Sequence, residues 1–476
     1  MERANISSNS SRSTRTFALE NLGCAKNQVD AEVIIAALQN EGWLFVSDPG
    51  EADLIIVNSC GFIQSAKEES IQVSLDLKKA HPDRKLLLAG CFAQRYGGEL
   101  SESLPELDGI FGNRALSLIG RAAGEVMAGN RPVLIPSGEE ETGADGKAPD
   151  GKASGMPVPG EADGEGETVR RDRLLSFPGS VYIKISEGCD NNCSYCAIPL
   201  IRGGLKSRTI ESITREIRDF ITRGTREFNF VGQDLSGFGK DRGAREFPKL
   251  LEAVSALEGD FWIRLLYIHP DHFPREILEI CRRDPRILPY FDIPFQHASE
   301  RILRKMGRKG NAALHLDLIR EIRETLPEAV IRSTLMVGFP GESGADFREL
   351  EAFQQKARLD WLGVFSYSRE EGTPAAELAG PAFRLGARTR EKRKAVLMAA
   401  QLPISEERME AYVGRELKVL VEEPVEGEEL YLGRAACQAP DVDGAVVIRA
   451  IGLVPGTFVQ TRIIRRNGID LEAVPL

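Results

Sequence analysis

From Val181 onward the chain repeats one local pattern: a short, almost wholly apolar run, a polar loop, then an amphipathic stretch with helical spacing. Apolar runs that do not alternate belong to parallel strands covered on both faces, and parallel neighbours need a crossover between them. The expected strands are residues 181–185, 227–231, 261–268, 290–295, 330–339 and 361–367. Between them lie helices such as residues 210–223, where Ile213, Ile217, Phe220 and Ile221 share a face and Gly224 supplies a stop. Six such units make an incomplete (β/α)6 barrel, short of the eight of a closed one, and in barrels of this kind chemistry sits on the loops after the carboxyl ends of the strands. The polar clusters fall at those positions. A cysteine-rich loop follows the first strand, Gln233 and Asp234 the second, His269 the third, and Gln296 and His297 the fourth.

The loop after the first strand carries Cys189, Cys193 and Cys196 in a CxxxCxxC spacing, with Tyr195 before the last cysteine. A structural zinc site closes four ligands, whereas an iron-sulfur cluster on three cysteines leaves one iron open to another molecule. The alternative is a zinc knuckle with a distant fourth ligand, or plain buried thiols.

The first part of the chain has its own α/β pattern, an open parallel sheet by its apolar runs. Strands are expected at residues 16–22, 54–57 and 85–89, with helices at 27–40 and up to about residue 80. Each strand ends in a cysteine: Cys24, Cys60 and Cys91. In open α/β sheets ligands bind beyond the carboxyl ends of the strands, so these thiols are placed to converge there on a second cluster. Three buried structural cysteines are the competing reading, because free Cys is among the most buried residue types. Cys281, on an apolar helical face, and Cys437 read as packing.

Charge is unevenly spread. Of the net charge of -10, a balance of -7 lies between Ser137 and Thr168, where nine acids face Lys147 and Lys152 among eight glycines. Such a segment cannot bury enough surface to offset its ordering entropy, so residues 137–168 are expected to be a disordered acidic linker, as are residues 1–15 at the Ser-rich start. The last 65 or so residues carry short β-like runs at 416–421, 431–435, 445–450 and 458–464, with ten acids against seven bases. A module gripping RNA backbone should be clearly basic, and this one is not. No run of eighteen apolar residues occurs, no secretory signal opens the chain, and the thiol-rich loops call for a reducing compartment; a cytoplasmic protein without a membrane anchor is expected.

Taken together, the cysteine spacings, the strand-end residues and the terminal β runs resemble the methylthiotransferase family of radical S-adenosylmethionine enzymes. The resemblance implies an amino-terminal domain at 16–136 whose auxiliary [4Fe-4S] cluster is held by Cys24, Cys60 and Cys91. It implies a radical S-adenosylmethionine barrel at 169–410 whose [4Fe-4S] cluster is held by Cys189, Cys193 and Cys196, and a small TRAM-type β-barrel at 411–476. Tyr195, Gln233, Asp234, Gln296 and His297 are then candidates for contact with S-adenosylmethionine. Phe291-Asp292-Ile293-Pro294-Phe295-Gln296-His297-Ala298-Ser299 resembles the branch that modifies an aspartate of small-subunit ribosomal protein twelve rather than tRNA. That branch implies the ribosomal protein, free or in the ribosome, an electron donor such as flavodoxin or ferredoxin, and a sulfur source as partners. The loop Leu235-Ser236-Gly237-Phe238-Gly239 departs from the family's usual threonines and Tyr-Gly pair. The rival functions are the same chemistry on a tRNA adenosine and a non-catalytic iron-sulfur or ribosome-binding factor. An unactivated side-chain carbon offers no acidic proton and no leaving group, so a radical supplied by a cofactor is the chemistry the family reading requires.

Overall fold

The computed structural model describes residues 14–137, 170–378 and 385–476. The expected disordered start and acidic linker lie outside the described residues, apart from positions 14, 15 and 137. The chain divides into two compact units, the second of which contains both the barrel and the terminal module. Among the described residues no helix is long and apolar enough to cross a membrane.

The first unit is a six-stranded, all-parallel sheet. Its strands are β1 (Thr16–Asn21), β2 (Leu44–Phe45), β3 (Leu54–Ser59), β4 (Lys85–Gly90), β5 (Gly109–Phe111) and β6 (Val133–Leu134), in the order β2-β1-β3-β4-β5-β6. Every residue of β3 is buried. Successive residues alternate between two cores: Leu54 and Ile56 pack with Val33, Ile34 and Leu38 of the helix Ala25–Asn40, while Ile55 and Val57 pack with Phe92, Ala93 and Leu100 of the helix Cys91–Ser103. Sequence periodicity finds the three central strands and misses β2, β5 and β6, which are too short to carry a period. Arg171 belongs to this unit and not to the barrel: its guanidinium forms a buried pair with Glu32 at 2.6 Å.

In the second unit β7 (Ser180–Lys184) leads into a two-residue ribbon, β8 (Ser186–Glu187) against β9 (Lys206–Ser207), that frames the cysteine loop. The strands β10 (Glu227–Val231), β11 (Trp262–Leu265), β12 (Ile287–Asp292), β13 (Val330–Val337) and β14 (Trp361–Ser366) follow. Their order is β7-β10-β11-β12-β13-β14, all parallel, so the expected six-stranded open barrel is present, with β7 and β14 as its edges. Its core is lined by Ile183, Phe230, Leu265, Phe291, Leu335 and Val364.

After the helix Ala387–Glu410 the terminal segment closes into a barrel of five strands, β15 (Glu416–Pro424), β16 (Leu430–Ala435), β17 (Val446–Arg449), β18 (Phe458–Asn467) and β19 (Asp470–Pro475). The β16–β17 connection, together with Arg434 of β16, enters the amino-terminal end of the six-stranded barrel and touches every strand there. Tyr182 donates to Asp441 at 3.1 Å, Tyr290 to Asp443 at 2.5 Å, Trp361 to the Cys437 carbonyl at 2.8 Å, and Arg264 to the Ala436 carbonyl at 2.9 Å. Arg332 faces Asp443 at 3.6 Å, and Arg434 clasps Glu227 through two hydrogen bonds of 2.6 and 3.0 Å. The end of the barrel opposite the cysteine loop is thereby filled with paired charge.

Candidate active site

The three cysteines of the first unit sit at the carboxyl ends of adjacent strands. Asn21 of β1 pairs with Asn58 of β3, and Asn58 with Ala89 of β4, so Cys24, Cys60 and Cys91 leave the sheet two or three residues beyond one common level. Neighbouring strands are about 4.8 Å apart, which sets the scale of the cluster they can embrace. Glycines interlock the three turns. A Cβ on Gly23 would stand 2.9 Å from the Cys60 Cβ, one on Gly61 2.8 Å from the Phe92 Cα, and one on Gly90 2.6 Å from the Ser59 carbonyl oxygen. Each turn therefore passes the next at backbone distance, and Gly90, at φ 96°, holds a conformation that only glycine adopts cheaply. Cys24 caps the helix Ala25–Asn40 and Cys91 begins the helix Cys91–Ser103, so both sulfurs sit at helix starts. Asn113 donates to the Cys91 sulfur at 3.3 Å, and Asn27 lies 3.1 Å from it. Cys24 is exposed, Cys60 half-buried and Cys91 buried.

The second trio rides on a loop tied down from four directions. The Cys189 N–H donates to the Gly203 carbonyl at 3.2 Å, the Ser194 N–H to Met306 at 2.9 Å, and the Ala375 N–H to Ser194 at 2.8 Å. Asn191 donates to Asp234 at 2.8 Å. Cys193, Cys196 and Tyr195 pack with Ile302, Leu303, Met306, Phe339, Tyr367 and Ala375. Burial pushes the Cys189 thiol up to about 11 and the Cys196 thiol up to about 12, and their neighbours' negative charges add to it in both cases. Buried thiols such as Cys189 and Cys196, whose ionisation their neighbours oppose, are donors in need of a cationic centre. Among the described residues no three cysteine, histidine or carboxylate groups close on a single metal ion. A four-iron cluster asks for something wider than the roughly 4 Å between sulfurs around one zinc, because its ligands bind separate corners. The donor chemistry of both trios fits such clusters.

The other candidates divide. Tyr195 is packed beside the cysteines. Asp234 is committed within the protein: beyond Asn191 it accepts from the Ser236 N–H at 2.9 Å, the Ser236 hydroxyl at 2.6 Å and the His269 N–H at 3.1 Å. Gln233 keeps a buried amide nitrogen with no partner among the described residues, the kind of donor a ligand would satisfy. Gln296 holds φ 67° and Tyr267 φ 71°, both left-handed and both at strand ends of the barrel, where such strain marks functional positions. His297 is fully buried; the Ser299 N–H donates to its Nδ1 at 3.0 Å, leaving Nε2 to face Glu342 at 3.8 Å. Burial pulls its pKa down to about 3, so it is neutral. The glycine turn at Gly338–Gly341 is closed by the chain itself, since the Gly338 N–H donates to Glu342 at 2.6 Å.

Sequence reading missed Arg308. It is buried beside Tyr195, with its guanidinium carbon 6.0 Å from that ring's centre, and Cys193 is among the groups that act on it. The signal was the run Met306-Gly307-Arg308-Lys309-Gly310, a basic pair between two glycines. His269, noted only as a strand-end residue, stands with its Nε2 4.0 Å from the Cys193 sulfur.

A six-stranded parallel half-barrel with three cysteines on the loop after its first strand defines the radical S-adenosylmethionine class. Residues 183–353 match the radical SAM superfamily, residues 16–112 the uncharacterized protein family UPF0004, and residues 413–476 the TRAM domain. The fold resembles that of the radical S-adenosylmethionine methyltransferase TsrM from Kitasatospora setae, with a TM-score of 0.54 over 76% of this chain and 74% of that one, at 15% identity. Two relatives bear the name ribosomal protein uS12 methylthiotransferase RimO. The protein from Treponema denticola is 47% identical over 95% of this chain and 99% of its own, and that from Carboxydothermus hydrogenoformans 38% identical over 91% and 93%. The chain belongs to the RimO family of methylthiotransferases.

Proposed function

We propose that this chain is a radical S-adenosylmethionine methylthiotransferase that places a methylthio group on the β-carbon of an aspartate in ribosomal protein uS12, in the cytoplasm. The observation that carries the reading is the pair of three-cysteine sites, each at the carboxyl ends of parallel strands and each short of a fourth cysteine. In this assignment Cys189, Cys193 and Cys196 hold the cluster that binds S-adenosylmethionine, and Cys24, Cys60 and Cys91 hold the auxiliary cluster. When bound, these groups supply a one-electron route to a carbon radical and a sulfur carrier. The chain's own residues keep that chemistry dry and fixed. Tyr195, Ile302, Met306 and Phe339 wall the cysteine loop in apolar surface, and Asp234 locks it to the second strand's loop through Asn191. Gln233 and Gln296 are the side chains we assign to the cofactor. A low-potential carrier of the flavodoxin or ferredoxin kind and a separate sulfur source complete the set of partners.

The test is a division of labour. Cys193→Ala should abolish deoxyadenosine release and modification alike, whereas Cys60→Ala should keep deoxyadenosine release and lose methylthio transfer to uS12, read by mass spectrometry. The same phenotype for both variants, or modification of tRNA in place of uS12, refutes the assignment.

A further inference from the structure

We infer that Arg308 is a positioning residue for the centre on the Cys189–Cys196 loop: it sets a fixed positive charge against the Cys193 thiolate and so makes that centre easier to reduce. The inference rests on the assignment of this trio to an iron-sulfur cluster.

Arg308 is held where it stands by backbone that leaves it no freedom. The helix Glu300–Lys305 ends at Met306, whose carbonyl accepts from the Ser194 N–H of the cysteine loop. Gly307 follows at φ 72°, and a Cβ there would lie 2.2 Å from the Asn192 carbonyl oxygen, so the two segments touch at backbone distance. The Arg308 N–H returns to the Leu303 carbonyl at 2.8 Å, and its guanidinium donates to the Pro294 carbonyl at 2.5 Å. Between these anchors the side chain is buried, and its Nε has no hydrogen-bond partner among the described residues.

A guanidinium in such a place ordinarily faces a carboxylate, because a buried charge without a counter-ion is costly. Among the described residues no carboxylate stands within ion-pair distance of Arg308; Asp271 acts on it only at longer range. The groups around it are Cys193, Tyr195 and the rings of His269 and His315, none of them a carboxylate. A cluster bound through the Cys193 sulfur would be the anion that balances this cation. Reduction adds one negative charge to a centre bound through that sulfur, and a nearby fixed cation stabilises the reduced form. Arg308 thus acts through Cys193 and does not itself need to touch the substrate.

The experiment uses the full chain, anaerobically reconstituted, with Cys24, Cys60 and Cys91 replaced by alanine so that a single centre is read. Iron content and the reduction midpoint, followed by the electron paramagnetic resonance of the reduced cluster without S-adenosylmethionine, are compared for this parent and for Arg308→Gln and Arg308→Lys. Arg308→Gln is expected to keep its iron and to show at least a tenfold smaller reduced fraction at a given potential, 59 mV for one electron. Arg308→Lys should recover most of it. Loss of iron in Arg308→Gln but not Arg308→Lys also supports the charge role. An unchanged midpoint in Arg308→Gln, or equal defects in both variants, overturns it in favour of a clamp on Pro294. A parent that takes up no iron refutes the functional reading itself, and this assignment with it.

Discussion

Replacing Arg434 with alanine tests how the terminal barrel is fixed to the half-barrel. Arg434 is buried, its two terminal nitrogens bonded to Glu227 at 2.6 and 3.0 Å and its Nε to Glu422 at 2.5 Å. Arg264 contributes a second guanidinium to Glu227 at 3.0 Å. Although burial pushes the Glu227 carboxyl up, Arg434 and Arg264 outweigh it and hold the group at about 2; Glu422, with one guanidinium and Glu227 as a neighbour, is left raised by burial. Without Arg434, two buried carboxylates share one cation. A pair of charges 4 Å apart is worth ~4 kcal/mol at an effective dielectric of 20, and breaking a buried pair by removing one partner costs about 3–5 kcal/mol, so Arg434→Ala should lose about 3–5 kcal/mol. Trp262, whose ring centre lies 4.5 Å from that of Phe458 at a tilt of 54°, and Trp361, bonded to the Cys437 carbonyl, report the interface by fluorescence during urea unfolding. The double variant Arg434→Met with Glu422→Met leaves Glu227 with Arg264 in a balanced pair and should regain at least half of the loss. A loss below about 1 kcal/mol for the single variant, or a double variant less stable than the single, refutes the reasoning.

Other outcomes follow from particular residues. Gly90→Ala sets a Cβ 2.6 Å from the Ser59 oxygen at a left-handed φ; it should cost about 2 kcal/mol or more and halve the iron bound per chain, measured after reconstitution. Gln296→Gly relieves the strain at φ 67° and should raise stability by up to about 1 kcal/mol while slowing deoxyadenosine release; a gain in both would contradict a binding role. Burial raises the Asp443 carboxyl to about 6, above its unfolded value near 4, so its contribution to stability is present below pH ~4 and is lost as pH rises through ~6. Asp443→Asn should therefore gain on the parent by up to about 3 kcal/mol between pH 4 and 7, seen as diverging unfolding midpoints.

The half-barrel was legible because its strands are continuous apolar runs and its helices have one apolar stripe, and the placement of the cysteines at strand ends was legible because each follows closely on such a run. The charged floor was not. Glu227 and Arg264 interrupt apolar strands and read locally as exposed, yet both are fully buried, because Arg434 arrives from 207 residues further along. The same burial changes the charge reading of the terminal module. With Glu422, Asp443 and Glu472 buried, and Arg434 with them, seven acids and six bases remain of the ten and seven counted from sequence. The electrostatic argument for a basic protein partner is thus weaker than composition suggests, and the assignment of uS12 leans on kinship. Strand β19 escaped notice because it is short and its consecutive residues Leu471, Glu472 and Ala473 are all buried, so a glutamate stands inside what would otherwise read as an apolar run. Arg308 escaped because its significance depends on the missing carboxylate around it.

The reach of residues 434–443 into the half-barrel also sets an order of events during synthesis. A nascent chain that has completed all six parallel strands still presents Glu227, Arg264 and Arg332 to an unfinished floor, and their partners are translated only after the sixth strand. An oxygen-sensitive cofactor is therefore offered a finished chamber only once residues 434–443 have been made. A half-barrel without residues 434–443 carries unbalanced charge in apolar surroundings, which is costly.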